Sequence, residues 1–313
     1  DNRLLCYRND GSSLILDASA QPALPPDMAP KHVLAADFDN NGHIDLVFSG
    51  RQLLYMSAGA SGRWEAQLSL QQPTQRAFAA DVDHDGDLDL LVSTEAGSRL
   101  WTNDGRGAFT DFTTEAALEG AVSALQVLFS DFDNDRDIDF FILGREQIQL
   151  FTNNRDGTFT DVAATVGLSS IEPAIDICIE DFDQDQYMDL CLLNADGSLA
   201  LYANREGGQF APVPPISVPL NGAHGLRPVD LDNDGDLDLA IFGSSGIRLL
   251  SRRADRFYLE DPILLQGRDV GQLLCRDFDG DGRTDLWADG HLLRNQTEAG
   301  HWIKVVAQGL GSN

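Results

Sequence analysis

A nine-residue aspartate pattern returns six times along this 313-residue chain and constrains the fold more than any other feature. Successive copies begin 44, 50, 50, 49 and 47 residues apart, and a repeat of this length is typical of propellers and other repeat architectures. We number the copies loops one to six and the residues of each loop positions 1 to 9. The loops are DFDNNGHID from Asp37, DVDHDGDLD from Asp81, DFDNDRDID from Asp131, DFDQDQYMD from Asp181, DLDNDGDLD from Asp230 and DFDGDGRTD from Asp277.

The segments around each loop have the pattern of short β-strands. A mostly apolar stretch precedes each loop, as at residues 33–36, and another follows it, as at residues 90–92. A third stretch such as 99–103 comes after a turn, and a glycine-plus-aromatic signal such as Gly107 and Phe109 begins a fourth. Four antiparallel strands per repeat form the blade of a β-propeller, and no segment shows a sustained helical period. The sequence therefore predicts an all-β protein of four-stranded antiparallel blades, and a parallel β-helix is disfavoured because its coils are shorter.

The number of blades depends on the N-terminal segment. The third-strand pattern occurs a seventh time at residues 3–9, so the chain begins in the middle of a blade. We predict a seven-bladed propeller, with six blades as the alternative. The predicted organisation is one domain, 1–313, made of a partial blade at 1–30 and repeat blades at 31–75, 76–120, 121–170, 171–220, 221–268 and 269–313.

The acidic residues of each loop have the spacing of a calcium site. They occupy positions 1, 3, 5 and 9, so alternate side chains can turn toward one point, and Ca²⁺ takes six to eight oxygen ligands at about 2.3–2.6 Å. Position 7 is predicted to contribute its backbone carbonyl, which explains its varied side chains. We predict up to six Ca²⁺ as cofactors, since Mg²⁺ demands a stricter octahedral geometry. The predicted metal ligands are Asp37, Asp39, Asn41, His43 and Asp45; Asp81, Asp83, Asp85, Asp87 and Asp89; Asp131, Asp133, Asp135, Asp137 and Asp139; Asp181, Asp183, Asp185, Tyr187 and Asp189; Asp230, Asp232, Asp234, Asp236 and Asp238; and Asp277, Asp279, Asp281, Arg283 and Asp285.

The six loops are not predicted to be equal. Position 6 needs a sharp turn, which favours glycine, but loops three and four have Arg136 and Gln186 there. Loop one has Asn41 at position 5, which lowers its charge. We expect loops two, five and six to bind best and loop four to be the weakest. Positions 2 and 8, such as Phe38 and Ile44, are mostly apolar and are predicted to anchor the loop to its blade.

Charge and cysteine content limit the partners and the chemistry. The formal net charge is −28, which disfavours nucleic acid because phosphate binding needs clustered positive charge. No apolar run reaches the roughly 18 residues of a membrane span, so no membrane insertion is predicted. Cys178 and Cys191 flank loop four at mirrored positions. We predict that they face each other across a hairpin as buried apolar residues, with a disulfide as the alternative.

With these loops between strands, the chain resembles the FG-GAP/VCBS repeat family, whose best-known members are the integrin α-subunit propellers. The resemblance covers nearly the whole chain and implies a seven-bladed propeller with calcium loops in the first hairpins. It also implies a secreted, periplasmic or cell-surface protein in adhesion, carbohydrate contact or assembly. Residues 301–313 resemble the start of the ASPIC/UnbV segment of cartilage-acidic-protein-like chains. This match and the start within a blade predict that the chain is part of a larger protein or complex.

Three functions remain open on the sequence. The favoured one is a non-enzymatic, calcium-stabilised scaffold that binds a protein or glycan. The alternatives are a catalytic propeller, such as a polysaccharide lyase or hydrolase, and a lectin. No G-x-S-x-G, H-E-x-x-H or P-loop pattern supports catalysis. Four tryptophans could stack on sugars, but three of them occupy repeat positions that other large apolar residues fill, which favours core packing.

Overall fold

The computed structural model describes residues 7–9, 14–16, 24–25, 27–60, 63–70, 72–169, 171–214, 216, 218, 220–253, 256–261 and 263–297. All regular secondary structure in these ranges is β, and no helix in them is long and apolar enough to cross a membrane. The chain folds into two compact units, Asp1–Ile171 and Glu172–Asn313.

The first unit contains three four-stranded antiparallel sheets, in each of which sequence neighbours pair. A separate two-stranded sheet, β1–β2, pairs Tyr7–Asn9 with Leu14–Leu16. The strands of blades one to three are β3 His32–Ala36, β4 Asp45–Ser49, β5 Leu53–Ala58 and β6 Trp64–Leu70; β7 Thr74–Ala80, β8 Asp89–Thr94, β9 Gly97–Asn103 and β10 Phe109–Asp111; and β11 Gln126–Ser130, β12 Asp139–Leu143, β13 Ile148–Asn153 and β14 Phe159–Asp161.

The second unit contains two four-stranded sheets and one three-stranded sheet of the same antiparallel order. The strands of blades four to six are β15 Ala174–Glu180, β16 Asp189–Asn194, β17 Leu199–Arg205 and β18 Gln209–Pro212; β19 Ala223–Val229, β20 Asp238–Gly243, β21 Gly246–Arg253 and β22 Arg256–Leu259; and β23 Leu273–Arg276, β24 Asp285–Ala288 and β25 His291–Leu293. The predicted fourth strand of blade six, which would begin at Trp302, lies outside the described residues, as does the ASPIC/UnbV-like segment at 301–313.

The described residues form six propeller blades, so the count agrees with the six-blade alternative and the prediction of seven is not met. The third-strand pattern at residues 3–9 suggested a seventh blade. Within the residues that the structure describes, β1 pairs only with β2, and this hairpin joins no four-stranded sheet. The match to one strand predicted the number of blades poorly, because the loop-bearing hairpin that begins each of the six blades did not accompany it.

Each aspartate loop connects the first and second strands of its blade. The last residue before the loop pairs with the position-9 aspartate, as Ala36 pairs with Asp45 and Ala80 with Asp89. The second strand is the most deeply buried one, since every residue of β4, β8, β12, β16 and β20 is buried. Neighbouring blades share cores, such as the edge-to-face contacts among Phe38, Tyr55 and Phe109. Each loop is therefore held at one end of a rigid, buried hairpin.

The two cysteines beside loop four face each other as predicted. Cys178 on β15 and Cys191 on β16 are directly opposite in the antiparallel register. Both are buried free thiols in an apolar cluster shared by blades four and five. Burial raises the pKa of the Cys178 thiol well above its usual value, which keeps it neutral.

Candidate metal-binding loops

The six loops share one backbone conformation with two left-handed residues, at positions 4 and 6. At position 4, φ lies between 55° and 78°, and at position 6 between 75° and 94°. Arg136 and Gln186 adopt this conformation in place of glycine, which raises the energy of loops three and four. Position 4 was not among the predicted functional positions. Its residues, Asn in three loops and His, Gln and Gly in the others, could have indicated it, because Asn tolerates the left-handed region.

The side chains at positions 1, 3 and 5 turn back into the loop and accept its backbone N–H groups. In loop three, Asp131 accepts from the amides of Asp135 and Arg136 at 2.9 and 3.0 Å. Asp133 accepts from Asp135 N at 3.2 Å, and Asp135 accepts from Asp137 N at 3.1 Å. This brings one oxygen from each of Asp131, Asp133, Asp135 and Asp139 within 4.8 Å of the others, a grouping that could hold a metal ion.

Similar groupings of three carboxylates occur in four other loops, where the oxygens again lie within 4.8 Å of one another. The predicted ligands at positions 1, 3, 5 and 9 are thus brought together in subsets. The role of the position-7 carbonyls stays a prediction. The groupings are Asp37, Asp39 and Asp45; Asp81, Asp83 and Asp85; Asp181, Asp183 and Asp189; and Asp230, Asp232 and Asp234.

Two loops contain a buried carboxylate oxygen without a donor. Asp81 Oδ1 in loop two and Asp230 Oδ1 in loop five have no hydrogen-bond partner within the described part of the chain. Burying an acceptor without a partner is costly, and a cation bound in the loop would satisfy it. These two oxygens are the structural feature that fits a metal ion best.

Position 9 is a buried clamp in every loop. Asp89 is 1% exposed; its Oδ2 accepts from Val82 N at 3.1 Å and its Oδ1 from Asn103 N at 2.9 Å. The same two bonds, to the position-2 amide and to an amide near the end of the third strand, recur at Asp45, Asp139, Asp189, Asp238 and Asp285. Position 9 therefore ties the loop to the blade independently of any metal.

Burial also changes the ionisation of the loop acids. Desolvation raises the pKa of Asp89 and Asp139 to about 7 and that of Asp189 and Asp238 to about 6. At position 3, desolvation and neighbouring carboxylates raise the pKa of Asp39, Asp83, Asp133 and Asp232. A nearby cation would oppose this by favouring the charged forms.

An asparagine at or just after the third strand links a blade to the loop of the preceding blade. Asn103 Nδ2 donates to Phe38 O in loop one at 2.7 Å, and Asn153 Nδ2 donates to Val82 O in loop two at 2.9 Å. In the second unit, Asn295 Nδ2 donates to Leu231 O at 2.6 Å. This role was not predicted, although the asparagine recurs in the third-strand pattern.

Positions 4 and 7 connect neighbouring loops within each unit. Asn40 Nδ2 donates to Asp87 Oδ1 at 2.6 Å, and Gln184 Nε2 donates to Asp236 Oδ1 at 2.9 Å. His84 Nε2 lies 3.5 Å from Asp137 Oδ1. The position-7 side chain thus serves the contact between loops, a function separate from the predicted carbonyl ligand.

Arginines contact carboxylates of loops three, four, five and six. In loop five, Arg252 NH1 lies 3.3 Å from Oδ1 of the position-7 residue Asp236. Arg205 NH1 lies 2.9 Å from Asp183 Oδ2 and 3.4 Å from Asp185 Oδ2. In loop three, Arg155 binds mainly the position-7 carboxylate of Asp137. In loop six, two different arginines each contact one acid: Arg283 contacts Asp281, and Arg294 NH1 lies 3.3 Å from Asp279 Oδ2. These contacts were not predicted.

The apolar side chains predicted to anchor the loops are buried more often at position 2 than at position 8. Phe38, Phe132 and Phe182 are buried at position 2, as predicted. At position 8, Ile44 is 55% exposed, so the anchoring role predicted for it is wrong. The period-two alternation of a strand does not continue through a loop with two left-handed residues, and the side chain at position 8 turns outward in loop one.

A repeated antiparallel blade with an aspartate loop in its first hairpin defines a β-propeller repeat protein. The sequence matches the FG-GAP-like repeat in four windows, each spanning two successive loops: 81–142, 131–192, 181–241 and 230–288. These windows cover more than half of the chain, so the chain belongs to the FG-GAP repeat family. They do not extend to the ASPIC/UnbV-like segment, and that subgroup stays a prediction. A search of curated proteins finds no match.

Solved propeller structures resemble the chain in fold at low sequence identity. A lectin of Agrocybe aegerita, described as recognising non-reducing terminal N-acetylglucosamine, is 18% identical with a TM-score of 0.60. The match covers 86% of this chain and 81% of the lectin. BBS1N, solved in complex with ARL6DN, is 10% identical with a TM-score of 0.52, over 82% of this chain and 73% of that one.

Proposed function

We propose that this protein is a calcium-stabilised β-propeller scaffold that binds a protein or glycan outside the cytoplasm. The observation that carries the proposal is the convergence of three or four carboxylates from positions 1, 3, 5 and 9 in the repeated loops, together with the unpartnered buried oxygens of Asp81 and Asp230. Carboxylates at this spacing are hard oxygen ligands of the kind Ca²⁺ prefers. The repeat of this arrangement in successive blades favours a structural role for the ion.

In loop two, the ion would be held by Asp81, Asp83 and Asp85, with Asp89 at the base of the loop. Bound calcium would supply positive charge that neutralises the crowded carboxylates. Backbone N–H groups already orient two of these carboxylates. Gly86 N donates to Asp81 at 3.1 Å, and Asp87 N donates to Asp85 at 3.0 Å. The loop would then hold the first hairpin of its blade in register.

Calcium binding is tested directly by counting ions. Protein stripped with EGTA and dialysed against calcium should bind several ions per chain, measured by calorimetry and by atomic emission. Asp83→Asn should lower the count by one, because it removes one ligand charge of loop two. Glu119→Ala, an exposed acid outside the loops, should leave the count unchanged. A wild-type count of zero would overturn the proposal.

The location outside the cytoplasm follows from the expected affinity. Small, exposed calcium loops of extracellular modules bind at about 10⁻⁴–10⁻³ M, which suits compartments with high free calcium. The formal charge of −28 would also be partly neutralised there. Fractionation of the source cells with an antibody against this chain tests the location, and recovery only with cytosolic markers would contradict it.

A binding role is favoured over catalysis because the loop carboxylates already serve the backbone and the proposed metal. The test is affinity capture from a native extract, run in calcium and in EGTA, beside a turnover assay on a panel of polysaccharides. A partner retained only in calcium supports the scaffold. Cleavage of a polysaccharide at a rate proportional to protein concentration would replace it with the catalytic alternative.

A lectin is the second candidate, and a cavity in the first unit favours it. The cavity, of about 430 Å³, lies between blades two and three. Its walls combine the apolar Leu100, Phe112 and Phe159 with the polar His84 and Arg155. Pockets that take small ligands have this mixture of apolar walls and a few polar groups. The fold similarity to the Agrocybe aegerita lectin adds to this argument.

The lectin candidate is tested on a glycan array with a matched pair of arginine variants. Arg155→Gln removes a charged lining group, and we expect it to weaken binding of any glycan hit at least tenfold. Arg99→Gln removes the same charge from the Arg99–Asp111 ion pair, outside the cavity lining, and should leave binding unchanged. An array without hits, at calcium concentrations that saturate the protein, would contradict the lectin role.

A further inference from the structure

In loop four, one guanidinium group bridges the carboxylates at positions 3 and 5, whereas Arg155 in loop three contacts those at positions 5 and 7. Arg205 is the last residue of β17, and its NH1 contacts Oδ2 of both Asp183 and Asp185, at 2.9 and 3.4 Å. These are positions 3 and 5 of the loop. The other oxygen of Asp185 already accepts from Tyr187 N at 3.0 Å. The arginine thus takes the oxygen of Asp185 that the backbone leaves available.

The position-1 carboxylate of loop four also accepts a backbone N–H group at each of its oxygens. Asp181 Oδ1 accepts from Asp185 N at 3.0 Å, and Oδ2 accepts from Gln186 N at 2.9 Å. A calcium ion needs six to eight oxygens at about 2.3–2.6 Å, and it would meet a permanently charged guanidinium at two of them. Like charges at this separation repel, so the arginine and the ion compete for the same carboxylates.

Loop two shows the opposite arrangement with the same aspartates. Asp104 follows the third strand of blade two, where Arg205 follows Asn204 in blade four. No arginine contact is found at Asp81, Asp83 or Asp85 among the described residues. Asp81 Oδ1 is buried without a partner, whereas the equivalent oxygen of loop four has one.

We propose that Arg205 closes loop four in place of a divalent cation, so that this loop is a clip that does not require metal. This inference rests on the proposed calcium binding of the other loops. Loop four would keep its conformation when calcium is removed, since the positive charge that balances its carboxylates comes from Arg205 of the same blade. Arg205 is then the residue that decides whether these four aspartates bind metal.

The experiment counts bound calcium by native mass spectrometry and equilibrium dialysis in five variants. Asp183→Asn should leave the wild-type count unchanged, whereas Asp83→Asn at the same position of loop two should lower it by one. Arg205→Gln should raise the count by one, and adding Asp183→Asn to it should remove that gain. Arg99→Gln, which loses the same charge outside the loops, should keep the wild-type count.

A second readout covers the case in which a variant is less stable. Arg205→Gln should melt at a lower temperature than wild type in EGTA and recover in calcium, while Arg99→Gln should show no such added dependence. Asp183→Asn lowering the count by one would overturn the inference, as would an unchanged count in Arg205→Gln. A wild-type count of zero overturns the proposed function instead. In that case the inference stands only if Arg205→Gln binds one ion and falls if it binds none.

Discussion

Loops two and four have the same aspartates at positions 1, 3, 5 and 9 and nearly the same backbone, yet their electrostatic environments are opposite. Loop two contains a buried, unpartnered oxygen of Asp81, and no arginine of the described chain contacts its ligand positions. Loop four has both oxygens of Asp181 satisfied and Arg205 across Asp183 and Asp185. The aspartate pattern therefore specifies the shape of the loop, whereas a residue at the end of the third strand determines its charge balance.

The two loops also share an element that needs no metal. Asp89 and Asp189 are each 1% exposed and accept two backbone N–H groups. These bonds fix the start and the end of the loop to its blade. A clamp common to all loops is thus distinct from the proposed cation site, whose surroundings differ among the loops.

The largest effect we expect is that of removing calcium. If free calcium is about one to ten times the dissociation constant, each occupied loop adds roughly 0.4–1.4 kcal/mol, and five or six loops add about 2–8 kcal/mol. Thermal unfolding in excess EGTA should therefore begin many degrees lower than in calcium. Magnesium at the same concentration should restore little of the loss. Superimposable unfolding curves in calcium and EGTA would contradict stabilisation by calcium. Loops two and four could then not be distinguished by metal binding.

The next effect is loss of the shared clamp, which we expect to be equal in the two loops. Asp89→Ala leaves the amides of Val82 and Asn103 without their acceptor, at about 1–3 kcal/mol for each buried group. Asp189→Ala should cost the same, about 2–6 kcal/mol, when both are measured by urea unfolding in EGTA. Glu119→Ala controls for the lost charge. A mild effect at Asp189 beside a severe one at Asp89 would show that the clamp is not equivalent in the two loops.

These loops show how much of the structure could be predicted from the sequence. Strands, hairpins and the set of acids followed from spacing, because alternation and turn chemistry are local properties. The arginine of loop four could not be predicted, since Arg205 lies 20 residues from Asp185 and meets it only through the antiparallel hairpin. The exposure of Ile44 and the six-blade count likewise depend on loop geometry and strand pairing, which one repeated motif does not determine.

A smaller effect should follow when the link between blades one and two is cut. Asn103 Nδ2 donates to Phe38 O at 2.7 Å and to Leu88 O at 3.1 Å, so its side chain joins loop one to loop two. Asn103→Ala leaves these carbonyls without that donor, and we expect a loss of about 1–3 kcal/mol in urea unfolding. Asn154→Ala, an exposed neighbour in the next blade, should cost less than about 0.5 kcal/mol.

If Asn103→Ala is as mild as Asn154→Ala, the loops act separately, and the contrast between loops two and four concerns single hairpins only. If Asn103→Ala is severely destabilising and also weakens calcium binding, this side chain couples calcium binding in one loop to the next loop. Calcium titration of Asn103→Ala, read by calorimetry, distinguishes the two results.

The smallest expected effect comes from exchanging position 6 between the loops. Gly86 has φ near 94° and no atom within 4 Å of where a Cβ would lie, so a side chain there meets only backbone strain. Holding a residue other than glycine in the left-handed region costs about 1–2 kcal/mol. Replacing glycine offsets about 0.4–1 kcal/mol of this cost, because the unfolded chain then has less conformational entropy to lose. Gly86→Gln should therefore destabilise the protein by about 0.5–1 kcal/mol, and Gln186→Gly should stabilise it by a similar amount.

Urea unfolding of both variants in EGTA measures this exchange without the metal. Gly120→Gln is the matched control, because Gly120 also has open space around its Cβ position but is not in the left-handed region. It should show no comparable loss. A destabilising Gln186→Gly would mean that the Gln186 side chain contributes more to loop four than its backbone strain costs. Loop four would then be held together by side chains on both of its flanks, Gln186 and Arg205, instead of by a cation.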